Sequence, residues 1–583
     1  MKTERQGGRW KALLAIGLIT VFAAVFTAGL IQTNFGSVAI KQLELVTDEG
    51  NKIAAMMYLP KGADAERPAP GILAVHGGNS SRYAMSNFAQ EFARRGYVVI
   101  SLDQSSNAQS DRAENAFFGT QAVMEYMTTL DFVDQTRLGV MGHSMGNAVV
   151  SMAEANPQFG IKAGMTLGSG TSVAPQTPIN VCVLIGTKDE NTGPRGSDTA
   201  VRGPIDAYKS AGLAAAFGLP EGEFIVCGQE YGSRAENTLR LMYQPHCGHL
   251  GMLYSREGIG MALEFMGDIL GVDNTLDVHS QIWLIREIAT AIAYVGLFMV
   301  AFAVIGLLLA WKKELAVQES AEGHAAMNAG YWIGLLVMCV VPALAIQQLY
   351  TAGKAFFLAI SQNIFAMEHI SGVIFWMVCS ALAILAANLV IKKLTKGYDW
   401  SFDRQVLAVE PRKVLGYLGV AVLAVLSLYC IVYLAGFFFD VNIRLYNTEV
   451  HLFTRTRFGV FWAYLPLYLL YYVIIGYVQT TGLLGKGQPV WSQYLRTILV
   501  SIVGPGAVLL AWYGSCGLVG VNYLFAWRFV LGVLLNFLPG MAIGAVIQVY
   551  CYRHTGSIWL GAFTNTILFT WMSTSIGVML PPV

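Results

Sequence analysis

The stretch Gly142-His143-Ser144-Met145-Gly146 sets a serine between two glycines in the pattern G-x-S-x-G, which suits a nucleophile on a tight turn between a strand and a helix. Five residues of this kind arise by chance about once in every few chains of this length, so the surroundings must carry the reading. "RLGVMGH", a β-type run, precedes Ser144, and "MGNAVVSMAEA", a helix-type run, follows it. The glycines permit the sharp turn and the close approach of the helix, leaving the hydroxyl exposed at the edge of a sheet. Two further groups follow in the order serine, acid, histidine. Asp189 stands directly after the apolar run "VCVLIG", and His249 lies in "YQPHCGHLGMLYS", on the loop leading into the helical "SREGIGMALEFMGDIL". A neutral histidine takes a serine proton, and a carboxylate fixes its tautomer. His246 is the alternative base, and Glu190 and Asp198 are alternative acids. Upstream, "LAVHGGNSS" ends another run with His76-Gly77-Gly78-Asn79; the backbone N–H groups of Gly78 and Met145 would together stabilise an oxyanion. The chemistry these residues suit is acyl transfer through a covalent acyl-serine.

The elements that must position them can be read from 32 to 270. Short apolar runs, "KIAAMMYLP", "PGILAVHGG", "YVVISLD", "RLGVMGHS", "AGMTLGSG" and "NVCVLIGTKD", alternate with helical patterns such as "SNFAQEFARRG" and "AENAFFGTQAVMEYM". Near-continuous apolar strands separated by amphipathic helices predict a mostly parallel sheet with helices on both faces. Between Asp189 and His249, "NTGPRGSDTAVRGPIDAYKSAGLAAAFGLPEGE" is either a helical lid over the site or an ordinary surface segment.

"VHGG", "GYVVISLDQ", "GVMGHSMG", "IGTKDE" and "HCGHLGM" resemble the corresponding pieces of the α/β-hydrolase superfamily, nearest to dienelactone-hydrolase-like esterases and their prolyl-oligopeptidase-like relatives, across most of 50–270. The resemblance implies a serine hydrolase with Ser144, Asp189 and His249 in the triad positions. It also implies a structural role for Asp103, which matches a strand-ending aspartate. Asn147 departs from the small residue that many relatives carry there.

The rest of the chain reads differently. Only 13% of the 583 residues are charged, about half the usual share, and 55% are hydrophobic. The apolar residues fall in long runs. Residues 12–31 form an uncharged run behind Lys2, Arg5, Arg9 and Lys11, expected to be an uncleaved anchor. Further candidate spans begin near Ile288, Tyr331, Gly372, Leu415, Phe458, Thr497, Phe525 and Ile558, making about nine in all. Basic residues at Lys312, Lys313, Lys392, Lys393, Lys396, Arg404, Arg412, Lys413, Lys486 and Arg553 would lie inside; Arg444, Arg455 and Arg457 are the exception. The expected organisation is a cytoplasmic N-terminus (1–9), an anchor (10–32), an extracytoplasmic α/β-hydrolase domain (33–275) and an all-α membrane domain of about eight spans (276–583). Arg528, Asn388, Asn536, Asn565 and Gln548 stand in apolar surroundings, where they would bond neighbouring helices or face a cavity; Arg528 could also snorkel. The loop "DVNIRLYNTEVHLFTRTRF" would lie along the outer leaflet or brace the α/β domain.

A net charge of +1 gives no reason to expect nucleic acid. Scattered cysteines give neither a zinc pattern nor a disulfide framework, with Cys227 and Cys247 as the one candidate pair. No cofactor or metal is expected; the expected partners are the bilayer and a small or lipid-linked acyl substrate. The last spans, "GMAIGAVIQVYCYRHTGSIWLGAFTNTILFTW", resemble the final segment of the CAAX-protease and bacteriocin-processing family, above all in "YRHTGSIW". Asn565 and Phe569 replace that family's His and Asn and no Glu-Glu pair precedes them, so a degenerate scaffold without protease chemistry is implied. Three functions follow in order: a membrane-embedded serine hydrolase, an acyltransferase using the same triad, and a transporter or scaffold bearing an inactive hydrolase-like domain.

Overall fold

The six apolar runs all become strands, and two more join them. The structure, a computed structural model, describes residues 2–114, 118–195, 198, 200–272, 276–317, 321, 325–395, 404–407 and 410–582; Lys396 of the basic loop lies outside these. The strands are β1 (Val38–Val46), β2 (Lys52–Pro60), β3 (Ala69–Val75), β4 (Val98–Leu102), β5 (Val133–His143), β6 (Ile161–Leu167), β7 (Asn180–Leu184) and β8 (Arg240–Tyr243). They form one sheet in the order β1-β2-β4-β3-β5-β6-β7-β8. The first two pairings are antiparallel and all others parallel. Every residue of β3, β4 and β7 is buried, as a sheet covered on both faces requires.

The helices are α1 (Lys2–Gln32), α2 (Ser86–Ala93), α3 (Phe118–Thr128), α4 (Ala148–Ala155), α5 (Ala211–Ala216), α6 (Arg256–Leu270), α7 (Trp283–Trp311), α8 (Ala329–Val340), α9 (Ile346–Ile360), α10 (Glu368–Leu394), α11 (Arg404–Leu407), α12 (Pro411–Phe439), α13 (Arg455–Leu483), α14 (Val490–Gly514), α15 (Arg528–Thr555) and α16 (Trp559–Thr574). One core of the α/β domain gathers α2 and α6 on one sheet face; the other gathers α3, α4 and α5 on the opposite face. The register between β3 and β5 sets Val75 opposite Gly142, so the loop after β3 and the turn after β5 emerge side by side at the sheet's carboxyl edge.

A third core belongs to the helical region. Among the described residues seven helices are long and apolar enough to cross a membrane, or up to eight if α8 and α9, bent by 58°, form one broken span. That is fewer than the nine expected. The difference is α16, whose 16 residues rise about 24 Å against a hydrocarbon core of about 30 Å. It nevertheless reaches both ends of the bundle: Trp559 donates to Leu407 O at one end, and Thr574 O accepts from Arg457 at the other. Most of its residues are buried among α12, α13 and α15, so it is a central strut with little surface to offer lipid.

The α/β domain is bolted to one end of this bundle. Glu287, at the start of α7, pairs with Arg286 and Arg444, and Arg444 donates to Tyr83 O at 2.5 Å and Ser86 Oγ at 3.0 Å. Ser81 donates to Glu449 at 2.5 Å, while Arg457 donates to Ser106 O at 3.2 Å and Gly577 O at 2.9 Å. Of the two positions expected for the 440–458 loop, bracing the α/β domain is the one observed. Cys227 and Cys247 are both free thiols, which removes the candidate disulfide.

Candidate active site

Ser144 sits at φ +52°, a left-handed conformation that costs a non-glycine residue energy and persists only where its surroundings enforce it. The enforcement comes from its glycines. A Cβ on Gly142 would lie 1.9 Å from Gly146 O, and one on Gly146 would lie 2.4 Å from Val75 O. Only glycine at both positions lets the chain leave β5, turn through a short 3-10 segment (Ser144–Asn147) and enter α4 while packed on the end of β3. A Cβ on Gly77 would likewise come within 3.0 Å of the Ser144 Cβ, so the loop after β3 lies directly against the serine.

His249 and Asp189 arrive from the other side of the same sheet edge. Asp189 follows β7 and His249 follows β8; the His249 Nδ1 lies 2.9 Å from Asp189 Oδ2 and 3.1 Å from Oδ1, both residues being buried. A carboxylate only accepts, so Nδ1 carries the hydrogen and Nε2 is left with a lone pair for a proton. Burial, the largest single influence, would lower the histidine's pKa, but the Asp189 charge, its hydrogen bond and the Glu190 charge together outweigh it and the net shift is upward. His246, the alternative base, is exposed and pairs with Thr187 Oγ1 at 3.1 Å. Asp198 bonds back to Arg195 O. Glu190 does touch His249, but through the backbone: its Oε2 accepts from the His249 N–H at 2.7 Å, and its Oε1 accepts from the Tyr513 hydroxyl at 3.0 Å. Burial and the neighbouring Asp189 raise the Glu190 pKa. Its position makes it a clamp on the histidine loop, tied to α14.

Two more histidines, unassigned from sequence, hold the frame. His143 packs its ring 4.7 Å from that of His249 and bonds His249 O at 3.0 Å through Nε2; burial pushes its pKa down to about 3, which keeps it neutral. His76 accepts from the Gln104 backbone at 3.0 Å and fixes the loop after β3. Asp103 pairs with Arg82 and accepts from the Arg82 N–H at 2.6 Å, away from the serine, in keeping with the structural role its position implies.

Ser144, His249, Met145, Gly77 and Gly78 line one cavity of ≈130 Å³. Of the described residues between Asp189 and His249, Glu190 and Asn191 reach the cavity, while α5 packs on the sheet core. The helical region supplies much of the remaining wall, with His369 of α10, Trp512 of α14, Arg528 and Asn536 of α15, and Asn447 of the bracing loop. Arg528, expected to snorkel or bond a neighbouring helix, stacks over Phe525 and Phe529 at the cavity wall. Asn388 and Asn565 do bond helix backbones, Ile384 O at 2.8 Å and Gly544 O at 2.9 Å.

Residues 31–173 match the family model described as esterase FrsA-like. With the strand order and the serine turn, that match settles the domain's class. The α/β domain is an α/β-hydrolase domain. The chain is 33% identical over 102 residues to the uncharacterized protein YcjY of Escherichia coli K12, covering 16% of this chain, and it spans about a third of that relative's length. Among solved structures, the Pyrococcus furiosus esterase Pf2001 aligns at 13% identity and a TM-score of 0.29, over 41% of this chain and 96% of that one. The dienelactone-hydrolase-like promiscuous phosphotriesterase P91, from metagenomic libraries, aligns at 18% identity and a TM-score of 0.22, over 26% and 71%. The CAAX-protease resemblance expected for the last helices gains no support from these matches. The hydrolase domain and a helical region with spans of membrane length thus share one chain, and the cavity lies between them.

Proposed function

We propose that the protein is a membrane-embedded serine hydrolase, acting at the extracytoplasmic face on an ester, thioester or amide of an acylated or lipid-linked substrate. The observation that carries this reading is that His249, bonded to the buried Asp189, lines the same cavity as a serine held at positive φ. His249 Nε2 takes the Ser144 proton as the Oγ attacks the substrate carbonyl carbon. The carbonyl oxygen becomes an oxyanion between the backbone N–H groups of Gly78 and Met145. The tetrahedral adduct collapses, the bond to the leaving group breaks, and His249 gives that group its proton. Water then attacks the acyl-serine by the same route in reverse and releases a carboxylic acid. Asp189 keeps the imidazole in the required tautomer and stabilises its cation. The helical wall favours a second reading, since a cavity screened by α10, α14 and α15 suits transfer of the acyl group to an alcohol in place of water.

The test is labelling of detergent-solubilised protein by a fluorophosphonate probe. Wild type is expected to label at Ser144, and Ser144→Ala and His249→Ala to label at least about a thousandfold more slowly. Well-folded wild type that stays unlabelled would overturn the assignment and return the inactive-domain reading.

A further inference from the structure

The cavity that holds Ser144 does not end at the hydrolase domain. A second cavity, of ≈70 Å³, shares Asn79, Asn447, Val533 and Asn536 with it and continues into the bundle. Beyond them its lining is mostly apolar, with Ile370 of α10, Phe537 and Gly540 of α15, and Phe569 and Met572 of α16; of the polar residues in it, Glu449 is already bonded to Ser81 and His451, and Ser573 to Phe569 O. Phe569 forms the floor. Gly540 leaves room for that ring, since a Cβ there would lie 2.7 Å from it, and Tyr472 stacks behind it at 5.6 Å. The path therefore runs from the serine, through a neck with three asparagines, to an apolar end inside the helical region.

We infer that this second cavity is an acyl-chain chamber, which receives the hydrocarbon tail of the substrate's acyl group and measures its length against Phe569. The inference rests on the serine-hydrolase reading and names its substrate class: esters or thioesters of medium-length fatty acids. A polar leaving group placed there would lose its water with no partner at the apolar end, at a cost a methylene chain does not meet. The leaving group belongs at the opposite wall, where Arg528, Asn191 and His369 offer polar contacts. This also gives the helices a purpose beyond anchoring, because α10, α15 and α16 supply a specificity surface that the hydrolase domain lacks.

The experiment is a chain-length series of p-nitrophenyl esters, acetate through decanoate, with the full-length protein in detergent. Wild-type kcat/KM is expected to climb by about fourfold per added methylene until the chamber is full, then fall. Val533→Phe, which narrows the neck, is expected to lower the octanoate-to-acetate ratio by at least about tenfold. Phe569→Ala, which removes the floor, is expected to move the optimum to longer chains. A flat wild-type profile, with acetate turned over and Ser144 labelled, would overturn the chamber and leave the hydrolase standing. Absence of both acetate turnover and labelling would instead sink the hydrolase reading beneath it. Should Val533→Phe fail to fold by gel filtration, Phe569→Ala decides alone, and an unmoved optimum overturns the chamber.

Discussion

At the scale of single residues, the contest between burial and charge at His249 fixes a measurable pH behaviour. Burial disfavours the imidazolium most strongly, but the charge and hydrogen bond of Asp189 with the charge of Glu190 together outweigh it, so the pKa stands above the ordinary histidine value. In the proposed mechanism His249 must be neutral to take the serine proton. Ester-hydrolysis kcat/KM is therefore expected to be low in acid and to rise with pH through a midpoint above about 6.5. In Asp189→Asn the raising charge is gone, so the midpoint moves to lower pH while kcat falls by about four orders of magnitude. A midpoint that stays put in that variant would mean that another group titrates. His143 cannot be that group, because burial holds it near 3, far below the working range. The raised Glu190 is the competitor, and Glu190→Gln distinguishes it: the hydrogen bond to the His249 N–H survives through the amide oxygen, and the limb should shift only slightly.

At the scale of elements, sequence pattern and structure agree where local chemistry decides. The six runs that became β2 to β7 are nearly continuous apolar stretches, and the serine turn announced itself by glycines whose Cβ atoms have no room. β1 was not legible because its alternating "VAIKQLELV" pairs only at the sheet edge, and β8 because four residues carry no period. Of the candidate site, the proposed Ser144, Asp189 and His249 were singled out from order and spacing; the helical wall was not, since nothing in a sequence says which distant span covers a loop. Arg528 and Asn536 stood out as polar residues in apolar runs, but that signal alone did not separate them from Asn388 and Asn565, which bond helix backbone away from the serine's cavity. The bracing loop between α12 and α13 was equally ambiguous, and buried charge decided it. Arg444, Arg286 and Glu287 form a cluster in which each charge relies on the others. Arg444→Met strips Glu287 of one partner and is expected to cost about 3–5 kcal/mol, read as a fall in the thermal midpoint in detergent. Glu287→Gln should not add to it: the double variant is expected to show a coupling of about 1–3 kcal/mol. Additive losses would mean that the loop is held by its other bonds.

At the scale of the whole molecule, the arrangement of charge bears on which side of a membrane the hydrolase domain occupies. Helices α7, α13 and α15 begin at that domain, and α12, α14 and α16 end at it, as contacts at Glu91–Trp283, Gln42–Asp440, Glu190–Tyr513 and Arg457–Thr574 require, together with Arg528 at the cavity wall. Lys312, Lys313, Arg412, Lys413, Lys486 and Arg553 consequently gather at the far end of the bundle. The basic residues on the near side include Arg444 and Arg457, and both bond the hydrolase domain, at Tyr83 O and at Ala108 O and Ser106 O. Free positive charge thus accumulates opposite the candidate site, and by the positive-inside rule this supports the proposed extracytoplasmic placement of the hydrolase domain. Cys227 offers a native reporter, being an exposed, unpaired thiol on the hydrolase domain, whereas Cys182 is buried and Cys430 lies in α12. A membrane-impermeant maleimide applied to intact cells is expected to label wild type and to lose most of that label in Cys227→Ser. Labelling that appears only after permeabilisation would put the hydrolase domain in the cytoplasm. It would also show that the buried arginines, not the lysines at the far end, had governed insertion.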